Sequence, residues 1–296
     1  MSAESTLAYL WQLAGCAPDI LSTCRFSGSA EQLPSVFAVG NVASASIAAQ
    51  ALAAASISYQ RSGTRQQVGI DRRHALAMFR SERYLRINGQ PPADPWSPIA
   101  GYYQAGDGRW IQLHTNFPHH RDGVLRVLGC ADQREAVAQA IAGWNALELE
   151  TQLAADGMCA AMIRSPQEWQ AHPQAAALAG LPLFEIERIG EAPPQPVGAA
   201  TGIAGLATAD GRVARPLGGV RVLDLSRVIA APVAARTLAQ HGADVLAISA
   251  AHLPNIAPLV IDTGRVVIAT GGIGGLFLDS TNPAGCFGQE IGRAHV

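Results

Sequence analysis

The chain has 296 residues, 49% hydrophobic and 15% charged, with a formal net charge of −2. So much apolar content with so little charge excludes a wholly disordered chain. The near-neutral balance also excludes the basic excess of a dedicated nucleic-acid binder, and the length leaves room for two domains at roughly 150 residues each.

The elements are expected in this order. Residues 5–14 predict a short amphipathic helix, with Leu7, Leu10, Trp11 and Leu13 apolar. Residues 26–34 are polar and read as loop. Residues 42–58 are Ala-rich and predict a long helix whose small side chains permit close packing on every face. A connector with Gly63 follows, then a short strand at 67–70 and a helix over 72–84 that Asp71 caps. Prolines make 88–98 a loop. Two short runs, 101–105 and 110–114, flank Gly106-Asp107-Gly108 and predict a β-hairpin. Helices are expected at 120–128, 132–142, 146–156 and 165–178, completing a small α+β module.

Residues 190–216 are rich in Pro, Gly and Ala without periodicity and read as a linker. Beyond it the pattern changes. Val220 to Leu225 is a nearly continuous apolar run, 232–241 is helical up to Gly242, and Asp244 to Ile248 is a second apolar run. Strand, helix and strand in so short a span predict a parallel βαβ unit.

The opening MSAESTLAYLWQLAG lacks a basic n-region and carries Glu4, which excludes a signal peptide. The Ala- and Ser-rich stretch 43–57 is interrupted by Gln50 and is too short to span a bilayer. The five cysteines form no C-x-x-C pair and are expected to be reduced and buried. A cytoplasmic protein with neither a membrane nor a nucleic-acid partner follows. His114, His119 and His120 stand close together but not at i, i+4, so no metal site is expected. No G-x-S-x-G elbow or P-loop signature occurs.

Residues 216–248, PLGGVRVLDLSRVIAAPVAARTLAQHGADVLAI, resemble the opening of the family III CoA-transferases, also called the carnitine dehydratase/bile-acid-inducible protein F family. The earlier part of the chain is similar to a later stretch of the same family. That similarity rests on Val39-Gly40-Asn41-Val42-Ala43-Ser44-Ala45, on the run from Arg61 to Val68, and on Asp107-Gly108-Arg109-Trp110-Ile111. The family's late part therefore precedes its early part, as in a circular permutation or in a tandem protein with both copies cut. The implied fold class is α/β, a partial family III CoA-transferase fold. A small α+β domain within 1–189 and the 190–216 linker lead to an incomplete Rossmann-like parallel βαβ module over 217–265.

The resemblance carries a function with it. A family aspartate attacks an acyl-CoA thioester, and CoA passes through an aspartyl thioester to an acceptor acid, which is nucleophilic catalysis by a carboxylate. Asn41 falls at that aspartate's position, and an amide oxygen is a far weaker nucleophile. The nearest alternative carboxylate is Asp71, which opens the next helix instead of the site. Arg227, Val228 and Ile229, in the loop after the first βαβ strand, are implied to lie near the CoA adenine or pantetheine; otherwise they pack the turn. Arg61 and Arg65 flank a glycine and suit CoA phosphates or a solvated surface. The implied protein is a CoA-transferase-like homodimer, truncated and impaired, that moves CoA between an acyl-CoA and a carboxylic acid. The alternative is a non-catalytic CoA-binding or interaction remnant. Racemases and dehydratases share the fold, which leaves the reaction open. No permanently bound cofactor is implied; CoA or acyl-CoA is substrate.

Residues 266–288, VVIATGGIGGLFLDSTNPAGCFG, resemble the late FAD-contact segment of the fumarate reductase/L-aspartate oxidase flavoproteins. Phe277 stands where G-x-G-x-x-G needs glycine, and no preceding βαβ is present, so FAD binding is not expected of it. The closing IGRAHV matches a translated sequencing adapter. Residues 266–296 therefore read as a foreign tail, an artefact of gene assembly.

Overall fold

The computed structural model describes residues 1–29, 35–84, 86, 89–91, 94, 96–193, 215–226 and 228–248. They fall into two compact units, one of Met1–Pro92 with Pro182–Val296, the other of Ala93–Leu181. The expected linker (from 194 on), Arg227 and the whole flavoprotein-like tail lie outside the described residues or mostly so.

The first unit begins with α1 (Ala3–Leu13), which starts two residues earlier than expected because the Ser2 hydroxyl accepts from Ser5 N at 3.2 Å and caps it. The segment read as loop from Phe26 onward holds a strand, β1 (Cys24–Ser27). It pairs in parallel with β2 (Val68–Asp71), Cys24 opposite Val68 and Ser27 opposite Asp71. Four residues of mixed polarity give no apolar run, so only the pairing reveals β1 as a strand. Between the two strands runs α2 (Val39–Ser62), longer than the Ala-rich stretch that announces it. Gly63, at φ 71°, closes α2 in the left-handed conformation and donates its N–H to Tyr59 O at 2.8 Å.

Alanine on nearly every face lets α2 pack closely. Ala43, Ala45, Ala48 and Leu52 form one core with Leu7 and Trp11 of α1, Ile70 of β2 and Ala75. Among the described residues, α2 is the one helix long and apolar enough to cross a bilayer by length and composition. Asp71 caps α3 (Arg72–Phe79) as expected, its Oδ1 accepting from His74 N at 2.9 Å; α3 ends five residues short of the expected 84 and gives way to a 3₁₀ turn, Ser81–Arg83.

The second unit carries the expected hairpin, β3 (Gly101–Gln104) and β4 (Trp110–Leu113), antiparallel with Gly101 opposite Leu113. A third strand, β5 (Ala160–Met162), adds to β4 in the antiparallel sense. Helices α4 (Pro118–Leu128), α5 (Arg134–Ile141) and α6 (Ala146–Ala155) cover it, and Ile99, Ile111, Leu113, Val124, Val137, Ile141, Leu149 and Leu153 fill the core. The helix expected over 165–178 is two, α7 (Pro166–Gln170) and α8 (Pro173–Leu178). Pro173 cannot continue α7, and the His172 side chain accepts from Gln174 N to start α8 afresh.

The second βαβ unit forms as the sequence predicts. β6 (Arg221–Asp224) and β7 (Asp244–Ala247) are parallel, in register from Arg221 opposite Asp244, and α9 (Ala230–Gln240) connects them. It belongs to the same compact unit as α1–α3, whereas the sequence sets 217–265 apart as a module of its own. Two side chains of α2, Gln50 and Arg61, make that connection. The expectation of buried cysteines needs correction, since Cys16 and Cys159 are exposed while Cys24 and Cys130 are half-buried; all four are free thiols.

Candidate functional site

The site is built on the carboxyl end of β6, where a parallel strand hands over to its helix and ligands of open α/β sheets bind. Asp224 closes the strand, and its Oδ1 accepts from Ser226 N at 2.9 Å and from the Ser226 hydroxyl. This is an Asx-type turn, and it reverses the chain sharply after Leu225. Val228 follows at φ 73°, a conformation that a β-branched side chain adopts only under strain, of order 1–3 kcal/mol. Ile229 precedes α9, accepts from Val233 N at 2.9 Å, and is 64% exposed. The first turn of α9 has no side-chain cap, so its leading N–H groups point out of the helix unclaimed by a side chain. The loop thus offers an apolar rim, Val228 and Ile229, beside helix N–H donors suited to an anion. The expected site residue Arg227 lies outside the described residues.

Arg61 does not join this loop. Its Nη1 donates to Pro216 O at 2.7 Å and Gly218 O at 3.0 Å, just before β6 begins. Strand β6 separates that point from the loop by about 13 Å, four residues at roughly 3.3 Å each. The side chain expected to meet a phosphate therefore clamps the entry of β6 to the last turn of α2. Arg65, two residues beyond Gly63, lies with its guanidinium carbon 4.8 Å from the centroid of the Tyr59 ring, a cation–π contact.

Asn41 stands in the first turn of α2, half-buried, and its Nδ2 donates to Met1 O at 2.7 Å. Asp71, the alternative carboxylate, is committed to capping α3, and the His74 N–H that it accepts holds its pKa below the ordinary aspartate value.

Sequence reasoning missed Arg236. It sits on the inward face of α9, 8% exposed, where the helical spacing of Val233, Arg236 and Ala239 calls for an apolar side chain. Among the described residues neither its Nε nor its Nη1 has a partner, and burial draws its pKa below the ordinary arginine value. In the second unit, the histidines at 114, 119 and 120 do come together, with the rings of His119 and His120 4.2 Å apart. No group of three or more His, Cys, Asp or Glu able to hold a metal ion occurs among the described residues.

The description "CoA-transferase family III" fits residues 22–185 and 217–256 of this chain. An acyl-CoA transferase of Gibberella moniliformis is 26% identical over an alignment of 171 residues that covers 53% of this chain and 28% of that protein. The chain therefore spans under a third of that relative's length. Among solved structures, a hypothetical protein from Mycobacterium tuberculosis shows 16% identity and a TM-score of 0.42, covering 57% of this chain and 62% of its own. A CAIB/BAIF family protein from Brucella suis shows 17% identity and a TM-score of 0.37, covering 51% of this chain and 47% of its own.

Proposed function

The chain belongs to CoA-transferase family III, and from that premise we propose that it binds CoA or an acyl-CoA at the loop after β6 and moves CoA to a carboxylic acid poorly or not at all. The observation that carries this reading is the β6–α9 corner. Strained Val228, exposed Ile229 and the uncapped α9 N-terminus converge at the carboxyl end of a parallel strand, within the stretch that fits the family. An apolar rim suits pantetheine, and helix N–H groups without a side-chain cap suit phosphate oxygens. Homodimer formation and a cytoplasmic setting belong to the same proposal.

One observation favours the second reading, a CoA-binding remnant without transfer. The Asn41 amide is engaged in tying down the Met1 carbonyl, and it supplies no carboxylate. The test measures CoA binding by calorimetry and CoA transfer from acetyl-CoA to a short-chain acid, on the wild type and on Asn41→Asp and Ile229→Asp. Binding by the wild type, weakened at least tenfold by Ile229→Asp, is expected, with transfer gained only by Asn41→Asp. Equal transfer by wild type and Asn41→Asp would remove the assigned importance of position 41. Binding indifferent to Ile229→Asp would move the site elsewhere.

A further inference from the structure

We propose that Cys159 and His120 form a nucleophilic centre, in the 93–181 unit, which accepts acyl groups from thioesters. Its natural donor, an acyl-CoA, rests on the reading above; the chemistry of the pair does not.

The pair is assembled by three features of the chain. Antiparallel pairing of β4 with β5 continues one residue past Leu113 and Ala160, where His114 N donates to Cys159 O at 2.9 Å. Helix α4 follows β4 closely, with Pro118 at its start and His120 in its first turn. Gly123 then lets α4 lie against the segment before β5, since a Cβ there would stand 2.0 Å from Met158 Sδ. His120 and Gly123 share a face of α4, three residues apart, and Met158 and Cys159 are neighbours in the chain. Removing one side chain from the helix thus brings the imidazole of the previous turn to the thiol. His120 Nε2 lies 3.8 Å from Cys159 Sγ.

The environment suits a base beside a nucleophile. Cys159 is exposed, so an acyl donor can reach the sulfur. His120 Nδ1 is buried without a partner, which leaves Cys159 as the ring's one hydrogen-bonding contact among the described residues. The titratable groups that face the ring among the described residues are His119 on its own helix, with the rings at 4.2 Å, His114 just after β4, and Cys159 ahead of β5. No carboxylate is among them. Burial, with His119 and His114 adding to it, pulls the His120 pKa below the ordinary histidine value. Both effects favour the neutral ring, the form able to take a proton.

The step balances without further reagents. His120 Nε2 takes the proton from the Cys159 thiol. The thiolate sulfur attacks the thioester carbonyl carbon, a new C–S bond forms, and the bond to the departing sulfur breaks. That sulfur leaves as a thiolate and takes the proton from the His120 imidazolium. The products are S-acyl-Cys159 and a free thiol, which is CoA when the donor is an acyl-CoA.

The experiment incubates the full chain with S-phenyl thioacetate and, separately, with acetyl-CoA, and maps acetylated cysteines by peptide mass spectrometry between pH 5 and 9. Exposed Cys16, whose Sγ donates to the Ala14 carbonyl at 3.6 Å, is the reference thiol within the same molecule. With S-phenyl thioacetate at pH 7, Cys159 is expected to acetylate about tenfold or more faster than Cys16, and His120→Gln to abolish the difference. The wild-type rate should level off below the ordinary histidine value, whereas that of His120→Gln keeps rising toward the ordinary thiol pKa of about 8.5. His119→Gln should leave the advantage over Cys16 in place. Equal rates at Cys159 and Cys16, or a wild-type profile that follows an ordinary thiol, would overturn the proposal without recourse to any variant. Acetylation by S-phenyl thioacetate but not by acetyl-CoA supports the pair and counts against the acyl-CoA reading.

Discussion

His241 Nε2 and Gln50 Oε1 lie 2.8 Å apart, joining the end of α9 to the middle of α2 across 191 residues of sequence. The amide oxygen only accepts, so the ring nitrogen donates, and both the neutral and the charged imidazole can do so. The bond itself therefore forms in either protonation state. Burial favours the neutral ring and pulls the His241 pKa below the ordinary histidine value.

A pH dependence of this docking follows. With the folded pKa lowered, the unfolded state binds the proton more readily. Stability is thus full above the unfolded value of about 6.5 and declines as pH falls through it toward the folded pKa. Hydrogen exchange of the β6–α9–β7 backbone, corrected for intrinsic rate, is expected to show less protection at pH 5.5 than at pH 7.5. The difference should shrink in His241→Gln. Equal protection at both pH values would contradict the assignment.

Arg61→Met removes both charge-assisted bonds to Pro216 O and Gly218 O. Bonds to charged groups contribute on the order of 1.5–3 kcal/mol. The variant should lose protection in β6 and β7 by roughly that amount, with β3–β5 unchanged. An unaltered β6 would show that the clamp contributes nothing.

Arg236→Met should behave in the opposite sense. A buried guanidinium whose Nε and Nη1 have no partner among the described residues is a cost, and an apolar chain of similar length removes it. The melting temperature of the full chain is expected to hold or rise, by the equivalent of about 1–2 kcal/mol. A marked fall would reveal an anionic partner beyond the described residues.

Glu150 and Arg164 form a two-pronged ion pair tying α6 to the end of β5, and Glu150 Oε1 also accepts from Met162 N at 3.0 Å. The Arg164 guanidinium chiefly, with the Met162 N–H, holds the Glu150 pKa below the ordinary glutamate value. A lowered carboxylate pKa stabilises above the unfolded value of about 4.3 and loses that contribution as pH falls below it. Glu150→Ala should lower the stability of the full chain at pH 7 by about 2 kcal/mol, a figure below that for a fully buried pair. The gap from wild type should narrow near pH 3. A gap independent of pH would assign the loss to packing alone.

Much of this was legible in the residues. Asp71 marked the start of one helix and Gly242 the end of another because capping and positive-φ backbone are local requirements. The hairpin announced itself through Gly106-Asp107-Gly108, and the β6–α9–β7 unit through two apolar runs around an alanine-rich helix. Less legible were β1, four residues of mixed polarity, and β5, three residues inside a short apolar run with no alternation, which exist as strands only because β2 and β4 pair with them. The candidate site divided in the same way. The turn at Asp224 and Ser226 lies in adjoining residues and is a local matter, as is the exposure of a loop after a strand.

What the sequence by itself determined, then, was whatever depends on neighbours along the chain: caps, turns, the period of apolar positions, and the motifs that carry the family. The tertiary structure alone decided whatever depends on neighbours in space. It turned Arg61 from a candidate phosphate ligand into a clamp, because its nearest acceptors are carbonyls 155 and 157 residues away. It left Arg236 facing inward without a described partner, and it set Cys159 beside His120, 39 residues apart, through a glycine that carries no chemistry of its own. Side-chain chemistry is written residue by residue, but whether a charge is paired or a thiol has a base depends on distances that only the packed chain sets.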